Sequence, residues 1–146
     1  MKKTVSFFLV FALLLCLPLT AFAVVEPSRE FYVADYAHVL SSDTKNTVVR
    51  TNAALEQRCE GAQIVVVTVD YLDGKYCDDY AWELFNNWGV GSAQYNNGML
   101  LLLSTGERKA YVVYGLGLQT PLSSRTVNGW MEDCFWGDFD RGNYDR

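Results

Sequence analysis

The chain has 146 residues, half of them apolar, with 12 Lys and Arg against 17 Asp and Glu and a single His. That is the size of one domain with its own core, which excludes a disordered tail and leaves no space for a second domain. The acidic excess sets aside nucleic acid as a partner, because a phosphate backbone is gripped by clustered Lys and Arg.

Lys2 and Lys3 open the chain, residues 7–17 are an unbroken apolar run, and Ala21-Phe22-Ala23 is a small-x-small cleavage signal. Together they predict a secretory signal peptide over residues 1–23. Its removal leaves 10 basic against 17 acidic residues, a formal charge of −7. Residues 24–30 read as a short polar lead, and Phe31-Tyr32-Val33 as a short strand. Ser41-Ser42-Asp43 offers capping oxygens to a helix that runs to Cys59, with Val48, Leu55 and Cys59 on one face and Gly61 closing it. Residues 63–69 are apolar, β-branched and too short for a helix. Their lack of alternation predicts a central strand covered on both faces.

Asp78 and Asp79 suit a helix N-terminus, and behind them Tyr80, Ala81, Leu84, Phe85 and Trp88 fall at helical spacing as far as Gly89. A polar loop then leads into residues 99–103, a second doubly covered strand. The Thr105-Gly106-Glu107-Arg108 turn and the strand over 110–114 predict an antiparallel hairpin. A last helix from about Ser123 carries Val127, Trp130, Met131, Cys134 and Phe135 at i, i+3, i+4, i+7 and i+8 spacing. This order predicts an α/β domain whose helices cover both faces of a mixed sheet, with the strands at Gln63 and Met99 parallel.

Cys59, Cys77 and Cys134 are odd in number and none sits in a C-x-x-C pair, so neither a zinc site nor a thioredoxin-like motif is indicated. Cys59 and Cys77 fall at opposite ends of a strand spanning roughly 23 Å, too far for a disulfide. Cys134 ends its helix nearer to Cys77, which makes Cys77 to Cys134 the preferred bridge. Three free thiols would exclude it.

From Phe31 to Arg146 the chain resembles the TPM domain, a family of extracytoplasmic and thylakoid-lumen domains. The likeness is carried by Val33-Ala34-Asp35-Tyr36-Ala37-His38-Val39-Leu40-Ser41, the strand over 63–69, and the stretch from Tyr80 to Gly91. Asn96-Asn97-Gly98, Tyr114-Gly115-Leu116-Gly117-Leu118 and Arg141-Gly142-Asn143-Tyr144-Asp145 continue it. The resemblance implies a Rossmann-like three-layer α/β/α sandwich with about four strands, frequent calcium binding, and weak acid-phosphatase activity in some members. It also implies a following helix and, in bacteria, often a membrane anchor, so residues 31–146 are expected to form the domain without its last helix. Where the family pattern follows Gly-x-Gly with an acidic residue and then an Asp, this chain has Gln119 and Ser123. Two anionic ligands for a divalent ion are therefore missing.

Phosphoester hydrolysis needs an activated nucleophile or metal-bound water, with cations or backbone donors aimed at the phosphoryl oxygens. Asp35, in a turn between strand and helix, is the candidate nucleophile and metal ligand, although an Asp there also serves to satisfy turn N–H groups. Asn96 and Asn97 offer oxygens for a partial calcium shell, and Asn-Asn-Gly is equally ordinary turn chemistry. His38 has no partner that the sequence places beside it and is read as a structural or surface residue. Gly89-Val90-Gly91 and Gly115-Leu116-Gly117 lack the full dinucleotide fingerprint and read as tight turns. Asp138, Asp140 and Asp145 make an acidic cluster without EF-hand spacing. Trp88 and Trp130 fall on predicted buried faces, leaving Trp82 and Trp136 as candidates for a partner-contact surface.

Three functions stay open on these grounds. The favoured one is an exported, non-catalytic or weakly cation-binding domain in the assembly or maintenance of envelope proteins. A phosphatase using Asp35 with calcium or another divalent cation is the second, its small-molecule substrate unknown. A partner-binding module at a membrane surface, contacting envelope or membrane proteins through Trp82 and Trp136, is the third. Export places the chain in the cell envelope, on the extracellular face or in the medium, with an anchor expected only if the chain continues beyond 146.

Overall fold

The computed structural model describes residues 24–144, so the predicted signal peptide and Asp145 lie outside it. The two apolar runs form its centre. Strand β2 (Gln63–Val69) and strand β3 (Gly98–Ser104) pair in parallel, Val65 opposite Leu100 and Val67 opposite Leu102. β1 (Val33–Asp35) adds in parallel outside β2, and β4 (Lys109–Tyr114) adds antiparallel outside β3, giving the order β1-β2-β3-β4. Parallel neighbours cannot be joined by a tight turn. Helix α1 (Ser42–Arg58) therefore links β1 to β2, and α2 (Cys77–Trp88) links β2 to β3. After a 3₁₀ turn at Leu116–Leu118 come α3 (Ser124–Cys134) and the single turn α4 (Trp136–Phe139).

Strand alternation sorts the core into two sides of the sheet. Val65, Val67, Leu100, Leu102 and Val113 share one face and are sealed by Tyr80, Ala81 and Leu84 of α2, all at most 2% exposed. Burying each of the larger side chains is worth about 1.5–3 kcal/mol. On the other face Leu103 meets Phe135, Phe139 and Tyr144 of the C-terminal segment, where the Phe135 and Phe139 rings stack with centroids 4.9 Å apart. The chain thus forms the α/β/α layers of the expected fold. Among the described residues, no helix is long and apolar enough to cross a membrane.

Local signals set the helix ends. Ser41 Oγ accepts from the Thr44 N–H, and Ser123 Oγ from the Thr126 N–H, each at 3.2 Å. Gly89, at φ 63°, turns α2 off through a left-handed conformation that glycine adopts without strain.

Four expectations need correction. Phe31 sits at φ 57°, outside the extended region, so the first strand starts at Val33 rather than Phe31. The apolar face predicted for α1 leaves Cys59 exposed, and the residue it buries completely is Asn52. The polar lead is tied into the core: Val24 is buried, the Val25 N–H donates to Tyr80 Oη at 3.3 Å, and the Trp88 indole N–H donates to the Val25 carbonyl at 3.1 Å. Trp130 is 51% exposed because α3 lies along the sheet's edge strand and turns only its Val127 and Met131 stripe inward.

Candidate functional site

Asp35 ends β1 opposite Thr68 of β2, where the chain turns through His38 at φ 54° toward the start of α1. Its Oδ1 accepts from the Val39 N–H at 3.0 Å and from the Thr68 hydroxyl at 2.6 Å. Its Oδ2 accepts from the Leu40 N–H at 3.2 Å and lies 2.7 Å from the Lys45 ammonium. Only 3% of the side chain is exposed. Burial pushes the carboxyl up, but the hydrogen bonds from Lys45, Thr68 and the two amides outweigh it and hold it below the ordinary carboxylate value. Such a carboxylate is charged, paired and shielded, and it fastens the end of β1 to β2 and α1. His38 projects into solvent beside this turn.

Asn96 and Asn97 stand at the other end of the sheet. Asn97 precedes Gly98, which pairs with Gln63, five β2 positions from Thr68 and so roughly 17 Å away along the strand. One ion held jointly by Asp35, Asn96 and Asn97 is excluded by that distance. Asn97 is also fully employed: its Oδ1 accepts from the Ser92 N–H at 3.0 Å, and its Nδ2 donates to the Cys59 and Glu60 carbonyls. The Asn96 carbonyl accepts from the Gly117 N–H at 3.0 Å.

Gly115-Leu116-Gly117 packs against this same loop. A Cβ at Gly115 would lie 2.1 Å from the Asn96 carbonyl oxygen, and one at Gly117 would lie 1.9 Å from that of Tyr95. The pair of glycines permits this close approach, and what they face is carbonyl oxygen, which repels an anion. Ser123 spends its hydroxyl capping α3. Calcium takes six to eight oxygens, several from carboxylates. Gln119, Ser123, Asn96 and Asn97 bring no carboxylate to this end of the sheet, so by themselves they do not make up a calcium shell. Among the described residues, no group of three His, Cys, Asp or Glu is placed to hold a metal. Asp138, from the acidic cluster, pairs with Arg141 at 2.7 Å.

Cys59, Cys77 and Cys134 are all free thiols. The expected Cys77 to Cys134 bridge fails because Cys77 opens α2 on one face of the sheet and Cys134 ends α3 toward the other. Burial first, then Asp78 and Glu107, push the Cys77 thiol up to about 11 against the opposing pull of Lys109. Alkylation near pH 8 is therefore expected to modify the exposed Cys59 and Cys134 first and Cys77 slowest, followed by mass spectrometry. Equal rates at all three would contradict this assignment.

Trp82 and Trp136, singled out as contact residues, line the same groove. It holds about 520 Å³ and runs the length of β4, with Trp82 of α2 on one flank and Val127, Met131 and Trp136 on the other. Trp82 is 44% exposed, braced edge-on by Phe85 at 5.8 Å. Sequence reasoning missed Tyr111 and Glu132, which also line it. The signal that would have found Tyr111 is the hairpin itself, whose second strand, β4, is an edge strand of the described sheet; nothing in the sequence marked Glu132.

The TPM domain family model matches residues 33–146. Nine chains of solved structures resemble this one, among them the following three. The N-terminal domain of a protein from P. gingivalis is 27% identical, with a TM-score of 0.68 over 77% of this chain and 71% of that one. The N-terminal domain of a Corynebacterium glutamicum protein is 19% identical, with a TM-score of 0.57 over 82% and 78%. The BA42 protein of the psychrophilic bacterium Bizionia argentinensis is 17% identical, with a TM-score of 0.58 over 72% and 70%. The last two show likeness of fold alone. No curated protein matches the chain.

Proposed function

Because the chain belongs to the TPM domain family, matched over residues 33–146, we propose that it is a non-catalytic extracytoplasmic domain that binds other proteins in the assembly or maintenance of the cell envelope. One observation carries this reading: Asp35, the carboxylate best placed for chemistry, is 3% exposed, ion-paired to Lys45 and engaged by three further donors. A nucleophile or metal ligand needs an accessible lone pair, and here both oxygens accept internal bonds. Export is supported by the charged, apolar and small-residue segments of positions 1–23.

The test pairs thermal unfolding in EDTA and in millimolar calcium with turnover of an aryl phosphate. A ligand present at about 100 times its Kd adds about 2.7 kcal/mol. The expected result is no calcium-specific rise of that size and no turnover above that of Asp35→Asn. A calcium-specific rise together with turnover that vanishes in Asp35→Asn would establish the phosphatase reading instead.

A further inference from the structure

We propose that the free edge of β4 is a docking site where an extended segment of another protein adds as a fifth strand, with a Lys or Arg where it passes Glu132. The proposal rests on the protein-binding reading above and names the chemistry of the partner.

The ladder between β3 and β4 shows which groups face outward. The Gly115 N–H donates to the Gly98 carbonyl at 2.9 Å, and in the register observed Leu100 faces Val113 and Leu102 faces Tyr111. Hydrogen-bonded and non-bonded pairs alternate along an antiparallel ladder. Residues 109, 111, 113 and 115 therefore bond inward to β3. Ala110, Val112 and Tyr114 turn their N–H and C=O groups away from β3, on the outer side of β4, which is an edge strand of the sheet the described residues form. No described residue hydrogen-bonds to those six groups. Native proteins blunt such an edge with charge, proline, a bulge or a covering segment. Residues 110–114 are Ala-Tyr-Val-Val-Tyr, without charge or proline.

What lies along the edge is the open groove. A strand added at about 4.8 Å from β4 sends alternate side chains to opposite sides. One side meets Trp82 and Tyr111, and the other meets Val127, Met131 and Trp136. Main-chain pairing with pockets for alternate side chains is the physics of strand addition.

Charge decides between occupants. Among the described residues, Glu132 is the sole charged side chain lining the groove. It lies toward the Lys109 end, because Ser124 at the start of α3 meets the Tyr114 hydroxyl at 3.2 Å and α3 runs back along β4 from there. Asp133 follows it, and Asp78 stands one turn before Trp82 on α2, both exposed. A segment with Lys or Arg at that end complements these acids, whereas a second copy brings the same acidic excess to the contact.

The experiment uses the full-length protein and a synthetic peptide of alternating valine and threonine ending in two lysines. Hydrogen exchange is read at individual amides. Addition of the peptide is expected to slow exchange at Ala110, Val112 and Tyr114 by about tenfold or more while leaving Tyr111 and Val113 unchanged. Val112→Pro removes an outward N–H and no ladder bond, a place where an edge strand tolerates proline, and it is expected to weaken binding about tenfold. Glu132→Lys is expected to reverse the preference, favouring a peptide that ends in two glutamates. Unchanged exchange at the three amides with millimolar peptide, or indifference to Glu132→Lys, overturns the proposal. Protection of those amides that rises with protein concentration alone also overturns it, in favour of a second copy. Failure on these counts leaves the non-catalytic reading intact, which only aryl phosphate turnover can remove.

Discussion

Asp35→Ala is expected to lower the stability of the domain by about 3 kcal/mol, a fall of roughly 10 °C in the unfolding midpoint for a domain of this size. The substitution strands the Val39 and Leu40 amides and the Thr68 hydroxyl, and it leaves Lys45 without its carboxylate. Lys45 is one-third exposed and can turn to water, so the amides and the hydroxyl account for most of the loss. Asp35→Asn separates charge from shape. The folded carboxyl titrates below its ordinary value near 3.8, so its charge contributes stability that is fully present at neutral pH. That contribution is lost as pH falls past the ordinary value and through the lower folded one. The stability advantage of the native chain over Asp35→Asn is thus expected to hold above about pH 5 and close progressively below about pH 4. Urea titrations at a series of pH values check this. A carboxylate kept for catalysis commonly burdens the fold, so an Asp35→Asn protein more stable than the native chain would point back to chemistry.

The same carboxylate shows what a single sequence discloses and where it stops. Asp35 was legible as a turn residue because it stands between an apolar strand and the Ser41 cap, and the structural role follows from that position. The strands at 63–69 and 99–103 were legible because their length and β-branched or apolar content leave no other element, the second extending one residue further at each end in the structure. The cap at Ser41, the start of the last long helix near Ser123 and the stop at Gly89 were equally plain. Partnerships across long separations were not. Val24 and Val25 read as part of a short polar lead until Tyr80 and Trp88, 55 and 63 positions from Val25, bind its backbone. For the cysteines, strand direction put Cys77 and Cys134 toward the same end of the sheet. It could not reveal that their helices cover opposite faces, since that depends on how α3 leaves the edge strand. Trp82 and Trp136 were each readable as spare aromatics, and only the placement of β4 between α2 and α3 brings them to one groove.

Asn52 is where a polar residue on an apolar helix face carries the largest hidden role, and Asn52→Leu is expected to cost about 3 kcal/mol. It is fully buried. Its Oδ1 accepts from the Ile64 N–H at 2.8 Å, and its Nδ2 donates to the Ile64 carbonyl at 2.7 Å and to the Val48 carbonyl at 2.9 Å. The reason lies in β1, which pairs with β2 only from Val66 to Thr68. Ile64 lies before that pairing begins, and without Asn52 its part-buried backbone would lose its partner on that side. The side-chain amide, carrying one donor edge and one acceptor, stands in for the missing residue of strand. Leucine fills the volume but satisfies neither group, so the loss should appear as unpaired polar groups rather than as a cavity. Hydrogen exchange at the Ile64 amide is expected to rise by more than global destabilisation explains, while Val67 exchange rises only with the global loss. Equal acceleration at both sites would mean that the loss is global and that the Asn52 amide does not specifically hold the Ile64 backbone, and unchanged stability would mean that Asn52 merely fills space.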